Sequence, residues 1–365
     1  MKPVVEQKLL SIQLLRALAV LAVMISHIAY ELKNLLINSQ VSIDDKLFPG
    51  DFGVDLFFVI SGFIMIYTTQ GYFGEKGQAW SFIRRRIIRI VPLYWTVTCL
   101  MIVAVMIFPA SIRTATSDVW QWFCSFFFIP YAREGDGLIR PVLGIGWSLQ
   151  YEMFFYAIFA VGLLFKRSVG LILIVAAPFV FWGSSYIIGS SSTLWAFIGH
   201  PIIIEFSIGV VLGYLYLRGF RIPKVIGWMN LFIAFSILAA LPGFGEELAR
   251  SRHFYYGIPA AMFVCWAVLT RSHDQATVSR GWIEIGETSY ATYLTHPFVI
   301  GITALIVKKM DLVEVLSPYN LIVGYSMVVI LASLSVGYLT HYLFDLPITR
   351  FIAKIWRPST EPSQK

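Results

Sequence analysis

Residues Leu9 to Tyr30 read LLSIQLLRALAVLAVMISHIAY, an apolar stretch that admits two strongly basic or titratable side chains, Arg16 and His27. The stretch is long enough to cross a bilayer as a helix. Arg16 and His27 are eleven residues apart, almost three helical turns, so one face carries both, about 16 Å apart along the axis. Ionisable groups inside a membrane helix are costly, face the protein interior and mark functional positions. The pair therefore predicts a polar track along the first helix, leading into the protein.

The rest of the chain extends this reading. Its 365 residues are 58% hydrophobic and 13% charged, with a mean hydropathy of +0.73, which excludes a soluble globule. Apolar runs near twenty residues recur throughout and predict an all-α, polytopic membrane protein. The short alternating segments of a transmembrane barrel are missing. No polar stretch is long enough for a soluble catalytic domain, so the chemistry belongs to the membrane domain. The first run is too long for a signal-peptide core and no small-residue cleavage site follows it; it reads as a retained helix. Cys99, Cys124 and Cys265 lack metal or redox spacing and read as buried small hydrophobes, and no metal site is expected.

Ten spans are predicted, at roughly 8–30, 50–70, 88–108, 145–165, 169–188, 195–217, 225–241, 254–270, 283–307 and 320–344. With the N-terminus inside, nineteen of the 28 Lys and Arg residues fall on the cytoplasmic side and nine outside. Both termini are then cytoplasmic, and the +7 net charge is explained by topology, with no nucleic-acid partner. Residues 1–357 form one transmembrane domain and 358–365 a polar tail. Two outer loops stand out, 31–49 and 109–144. The second holds WQWFCSFFFIPY, Trp120 to Tyr131, too short to span and expected as an interfacial or re-entrant helix. An aromatic surface for stacking on sugar rings is the alternative.

Further polar groups lie in the apolar sequence. Arg84, Arg85, Arg86 and Arg89 open the third span; Arg86 and Arg89, three apart, are neighbours on one helix face and fit a phosphate-rich anion as well as a topological anchor. Asp55 in FGVDLFFVISGF and Glu152 in GWSLQYEMFFY fall in the outer halves of the second and fourth spans, at a depth like that of His27. Such carboxylates are costly unless they meet a partner, and a carboxylate beside an imidazole favours general base catalysis. Trp147, Ser148, Tyr293 and His296 are candidates for substrate contact, with Pro297 leaving a backbone carbonyl unpaired beside His296. His200 and Glu205 form a weaker buried pair, and His253 and His273 read as loop residues. No GxSxG and no Gly-rich phosphate loop is present.

Five segments in order, SIQLLRALAVLAVMISHI, FGVDLFFVISGFIMIY, FIRRRIIRIVPLYW, GWSLQYEMFFY and SYATYLTHP, together resemble the integral-membrane acyltransferase type 3 family, close to its ExoZ- and OafA-like sugar O-acetyltransferases. The resemblance implies a bacterial inner-membrane enzyme that takes an acyl group, usually acetyl, from cytoplasmic acyl-CoA. The acceptor is a carbohydrate hydroxyl, in exopolysaccharide, lipopolysaccharide O-antigen or another glycan, lipid-linked in some cases. Acetyl-CoA is then a co-substrate and no cofactor is permanently bound. The family's arginine and histidine ten intervening residues apart match Arg16 and His27, and its arginine pair matches Arg86 and Arg89. On this reading Arg85, Arg86 and Arg89 hold the nucleotide phosphates, Arg16 flanks the pantetheine arm, and His27, oriented by Asp55 or Glu152, is the base. A relay through an acylated His27 is the other route. A transporter or flippase for a glycan or anionic substrate is the rival reading of the same buried charges, although the chain lacks two related halves.

Overall fold

The computed structural model describes residues 9–37, 41, 43, 50–108, 118–134, 136–189, 192–240, 253–270 and 278–356. Lys2, Lys8, His273 and the tail 358–365 lie outside them. The described residues are helical, with two isolated bridges and no strand.

In chain order the helices are α1 Leu10–Leu35, α2 Phe52–Thr68, α3 Gln78–Ile107, α4 Val119–Phe126, α5 Trp147–Leu163 and α6 Arg167–Ile188. They continue as α7 Thr193–Ile198, α8 Ile204–Leu217, α9 Lys224–Ala240, α10 Ile258–Leu269, α11 Arg280–Lys309, α12 Leu312–Val315, α13 Pro318–Thr340 and α14 Leu346–Ile355. Every predicted span falls on a helix. Among the described residues, five helical stretches are both long and apolar enough to cross a membrane: Leu10–Leu35, Gln78–Ile107, Arg167–Ile188, Arg280–Lys309 and Pro318–Ile355. Phe52–Thr68, Pro201–Leu217, Lys224–Ala240 and Phe254–Leu269 are shorter apolar helices.

Two boundaries differ from expectation. The third helix begins at Gln78, ten residues before the predicted span, so the arginines lie within it and not at its mouth. Arginine is a good helix former, and hydropathy marks only where apolar residues begin. At the far end, the last span runs on through a π-helical turn, His341–Asp345, into α14. Such single turns add a residue to the helix and re-aim the side chains they carry.

Helix directions follow from where backbones touch. Gly286 on α11 meets Gln13 on α1, and His296 meets His27 further along, so α1 and α11 run parallel. Gly50 and Gly53 meet Ala22 and Ala19, making α2 antiparallel to α1. On α8, Gly209 packs against Val59 and Gly213 against Ile66, so α8 runs parallel with α2. Tyr325 donates to the Ile300 carbonyl while Gly337 abuts Thr292, which sets α13 antiparallel to α11. Small residues that admit close backbone approach are the usual means of helix association in lipid, where burial of apolar surface gives no drive. A large apolar core cluster includes Val20, Met24, Phe58, Tyr94, Phe155, Phe206 and Leu294, while lipid-length helices such as α6 leave most of their apolar surface outward.

The α2–α8 seam gives a test. A Cβ on Gly209 would lie 2.1 Å from the Val59 carbonyl oxygen, a contact that only backbone movement relieves. Gly209→Val should destabilise the fold by about 1–3 kcal/mol or more, read as a lower unfolding temperature of the detergent-purified protein.

Candidate active site

The helix bundle has two ends. At one, α1 carries Gln13 and Arg16; at the other it carries His27. Between them is a cavity of about 290 Å³. Its polar lining includes Gln13, Arg16, Arg86, Arg89, Ser61, Ser148, Glu152, Tyr156, Tyr290 and Tyr293, on α1, α2, α3, α5 and α11. Val54, Phe57, Phe58 and Leu149 make it apolar along one flank.

Helical spacing explains which side chains reach it. On α1, Gln13 and Arg16 are three apart and turn the same way. Arg16 makes no hydrogen bond or ion pair with any described residue, while the charges of Glu152 and Glu287 act on its guanidinium in the cavity. On α3, Arg86 and Arg89 share the inward face. Arg86 lies over the rings of Phe82 and Tyr156, 5.3 and 5.5 Å from their centroids, and donates to Thr68 Oγ1 at 3.4 Å. Arg89 lies 5.5 Å from the Tyr290 ring centroid and 3.2 Å from Asp345 Oδ2. Stacking on aromatic faces holds a guanidinium in place without consuming its donors.

The other two arginines of the cluster do different work. Arg85 is exposed, bonded to Ser81 Oγ at 2.8 Å and placed over Tyr72, and the structure does not bring it into the cavity. It sits about 100° round the helix from Arg86. Arg84 is buried and donates to the Trp356 carbonyl at 2.5 Å, which ties α14 back to α3.

Both carboxylates fall away from the expected partner. Glu152 Oε1 accepts from Ser61 Oγ at 2.6 Å and from Tyr156 OH at 2.5 Å, inside the arginine-lined cavity. It lies five residues into α5, and its bonds to Ser61 and Tyr156 hold it in the cavity with the arginines instead of beside His27. Asp55 is fully buried, and its spacing from Phe52 and Val59 puts it on the α2 face that packs with α10. The carboxylate whose charge does reach His27 is Asp51, which accepts from the neighbouring Ser26 at 3.0 Å; Arg140 is the cation that reaches it.

His27 is paired with His296. Nδ1 of the first and Nε2 of the second are 2.7 Å apart, with ring centroids 5.0 Å apart and ring planes 9° from parallel, so the rings meet edge to edge. His296 is wholly buried, and its Nδ1 faces the carbonyls of Tyr293 and Thr292. One turn back, Tyr293 OH donates to the Ile145 carbonyl at 3.0 Å and shares a 2.8 Å hydrogen bond with Ser148 Oγ. Tyr293 and Ser148 line the cavity, whereas His27 and His296 do not; the tyrosine ring, 5.9 Å from that of His296, stands between chamber and dyad. Trp147 is edge-on to Phe58 and Tyr151 and lies outside the lining.

Several members of the site escaped the sequence reading. Ser61 and Tyr156 hold Glu152, and Tyr156 follows it by four residues, a spacing that was available. Asp345 accepts from Arg89 and from His341 Nδ1 at 3.0 Å, four residues before it. The HYLFD stretch shows that spacing, but only the fold carries it to α3. Among the described residues no group of His, Cys, Asp and Glu has the arrangement of a metal site.

Against the second half of α3 lies α4, joined through Gln121 to the carbonyl of Arg140; its Asp118 caps the helix by accepting from Trp120 N at 2.8 Å and from Tyr131 OH at 2.5 Å. Trp120, Phe123 and Phe127 are exposed, in keeping with an interfacial helix. The following loop is clasped by an Arg133–Asp136 ion pair.

The acyltransferase 3 family, described as an acyltransferase domain, matches residues 9–339. The exopolysaccharide production protein ExoZ of Rhizobium meliloti is 30% identical over 264 residues, 70% of this chain and 78% of that protein. The peptidoglycan O-acetyltransferase OatA of Listeria monocytogenes is 30% identical over 164 residues, 42% of this chain and 24% of that protein. No solved structure matches the chain. The chain belongs to the acyltransferase 3 family. It is a membrane acyltransferase by that membership, which decides against the transporter reading.

The clasp on the outer loop has a pH signature. Arg133 lowers the Asp136 carboxyl from its ordinary 3.8 to about 2. A depressed carboxylate gives stability that is full above the unfolded value and lost as pH falls through the folded one. The loop should therefore keep its protease resistance from neutral pH down to about 4 and lose it towards about 2. Asp136→Asn should remove the pH dependence, leaving the loop equally sensitive throughout.

Proposed function

We propose that this protein is a multi-pass O-acyltransferase of a bacterial inner membrane, moving an acetyl or similar acyl group from cytoplasmic acyl-CoA to a hydroxyl of a cell-surface or exported carbohydrate. The observation that carries the proposal is a single chamber holding three arginines at one end, with a histidine dyad just beyond the other. Ten crossings with both termini in the cytoplasm fit the helix directions, since α1 and α11 are parallel and α13 returns against α11. The names of the two relatives, one for exopolysaccharide production and one for peptidoglycan O-acetylation, support a carbohydrate acceptor.

In this reading Arg86 and Arg89 meet the nucleotide phosphates from the cytoplasmic side. The pantetheine arm passes Arg16 along the apolar flank, and about 16 Å of helix separates that arginine from His27. The thioester then reaches Tyr293 and Ser148, whose hydrogen bond opens to admit it to the dyad. A sugar hydroxyl enters from the α4 side and its oxygen forms a bond to the thioester carbon while His27 takes its proton. The tetrahedral adduct collapses, the carbon–sulfur bond breaks, and the departing thiolate takes the proton from His27. The ester leaves outward and coenzyme A inward.

Two substitutions test this with purified protein, labelled acetyl-CoA and a glycan acceptor. His27→Ala should lower turnover by about 10²-fold or more with insertion and folding intact; full activity would remove His27 from the chemistry. Arg86→Ala should raise the KM for acetyl-CoA by about tenfold or more, one lost charged contact, with kcat changed less. An unchanged KM returns Arg86 to a topological role.

A further inference from the structure

Pro297 interrupts the hydrogen-bond ladder of α11 immediately after His296. Proline has no amide hydrogen, so the Tyr293 carbonyl, four residues earlier, lacks its helical donor. His296 fills that place: its Nδ1 is 2.7 Å from the Tyr293 oxygen and 3.3 Å from that of Thr292. A carbonyl oxygen only accepts, so Nδ1 carries the hydrogen. His296 is wholly buried, and its polar contacts are those two carbonyls and one imidazole, so the ring the site accommodates is the neutral one. Its Nε2 is then an acceptor.

The consequence passes to α1. The atom 2.7 Å from His296 Nε2 is His27 Nδ1, which must be the donor. The opposite tautomer would set two lone pairs against each other at that distance. His27 therefore carries its one hydrogen on Nδ1 and keeps a free lone pair on Nε2. We propose that Pro297 and His296 are positioning residues that lock His27 in the tautomer whose Nε2 is the base.

The proposal rests on the acyl-transfer reading above and adds the origin of the base's protonation state. When Nε2 accepts the hydroxyl proton, the imidazolium keeps its Nδ1 hydrogen pointed at the lone pair of His296. That ring is anchored in turn to the Tyr293 carbonyl, so the new charge meets an oriented dipole without any side chain moving. The charged groups acting on His27 from the loops packed against it are Asp51 and Arg140. From α13, Tyr325 donates to the Ile300 carbonyl. The two ring planes lie 9° from parallel, which suits an in-plane N–H···N bond.

The tautomer is observable directly. Protein carrying ¹⁵N-labelled histidine imidazoles has six such rings, and His27→Gln and His296→Gln assign the two of interest by loss of signal. At neutral pH both rings should show a protonated Nδ1 and an unprotonated Nε2. Pro297→Ala supplies an amide hydrogen to the Tyr293 carbonyl and should give His27 a mixed tautomer. In acetyl transfer, His296→Leu should lower kcat by about 10²-fold with the acetyl-CoA KM unchanged, while His296→Gln, whose amide oxygen accepts the same bond, stays within about tenfold of the parent. A His27 ring protonated on Nε2, a His27 tautomer in Pro297→Ala identical to the parent's, or equal losses in the Leu and Gln variants would overturn the lock. If the parent protein transfers no acyl group, the functional reading fails, and the spectra still decide the tautomer by themselves.

Discussion

Gly286 has no side chain, and α11 accordingly lies directly on the α1 backbone, where a Cβ would be 2.1 Å from the Gln13 carbonyl oxygen. That contact sets the register of the two parallel helices. Ten residues further along α11, His296 arrives opposite His27, and the rings close to a 2.7 Å hydrogen bond. The cavity depends on the same pairing, because Gln13 and Arg16 form one wall and Ser289, Tyr290 and Tyr293 another. A methyl group at position 286 would force the two backbones apart at that contact.

The buried charges follow a consistent logic. A guanidinium away from bulk water needs an aromatic face, a carboxylate or a ligand. Arg89 has a ring and Asp345, Arg86 has two rings and a hydroxyl, and Arg84 has a backbone carbonyl. Arg16 has no hydrogen bond or ion pair among the described residues; it lines the same chamber as Glu152, whose charge acts on it from a distance, as does that of Glu287. Glu152, tied down by Ser61 and Tyr156, keeps the chamber from being uniformly positive without cancelling Arg16.

Much of this was legible along the chain. Each apolar run that hydropathy marks falls on a helix, five of them long enough to cross a membrane among the described residues, and the spacing of Arg16 with His27 and of Arg86 with Arg89 placed each pair on a helix face. Helix faces are local, so a single sequence fixes them. Partner choice is not local, and there the reading strayed: Asp55 and Glu152 were matched to His27 by depth, and depth alone says nothing of azimuth. Asp55 is buried on α2 and is not among the groups acting on His27, Glu152 turns towards the arginines, and the imidazole takes a second imidazole. Arg85 was grouped with its neighbours by proximity, although a step of one residue rotates a side chain about 100° away.

The amino-acid order by itself determined a bundle of apolar helices with a polar thread in the first, an arginine face on the third and a proline beside a histidine in α11. It also carried the family resemblance. Those are consequences of composition and of the 3.6-residue turn. Only the tertiary structure decided that His296, bonded to the carbonyl that Pro297 leaves without a helical donor, meets His27. The same holds for Asp345, which a π-helical turn brings to Arg89. Both meetings depend on helices distant in sequence coming together at a particular rotation, a quantity no periodicity along one chain segment contains.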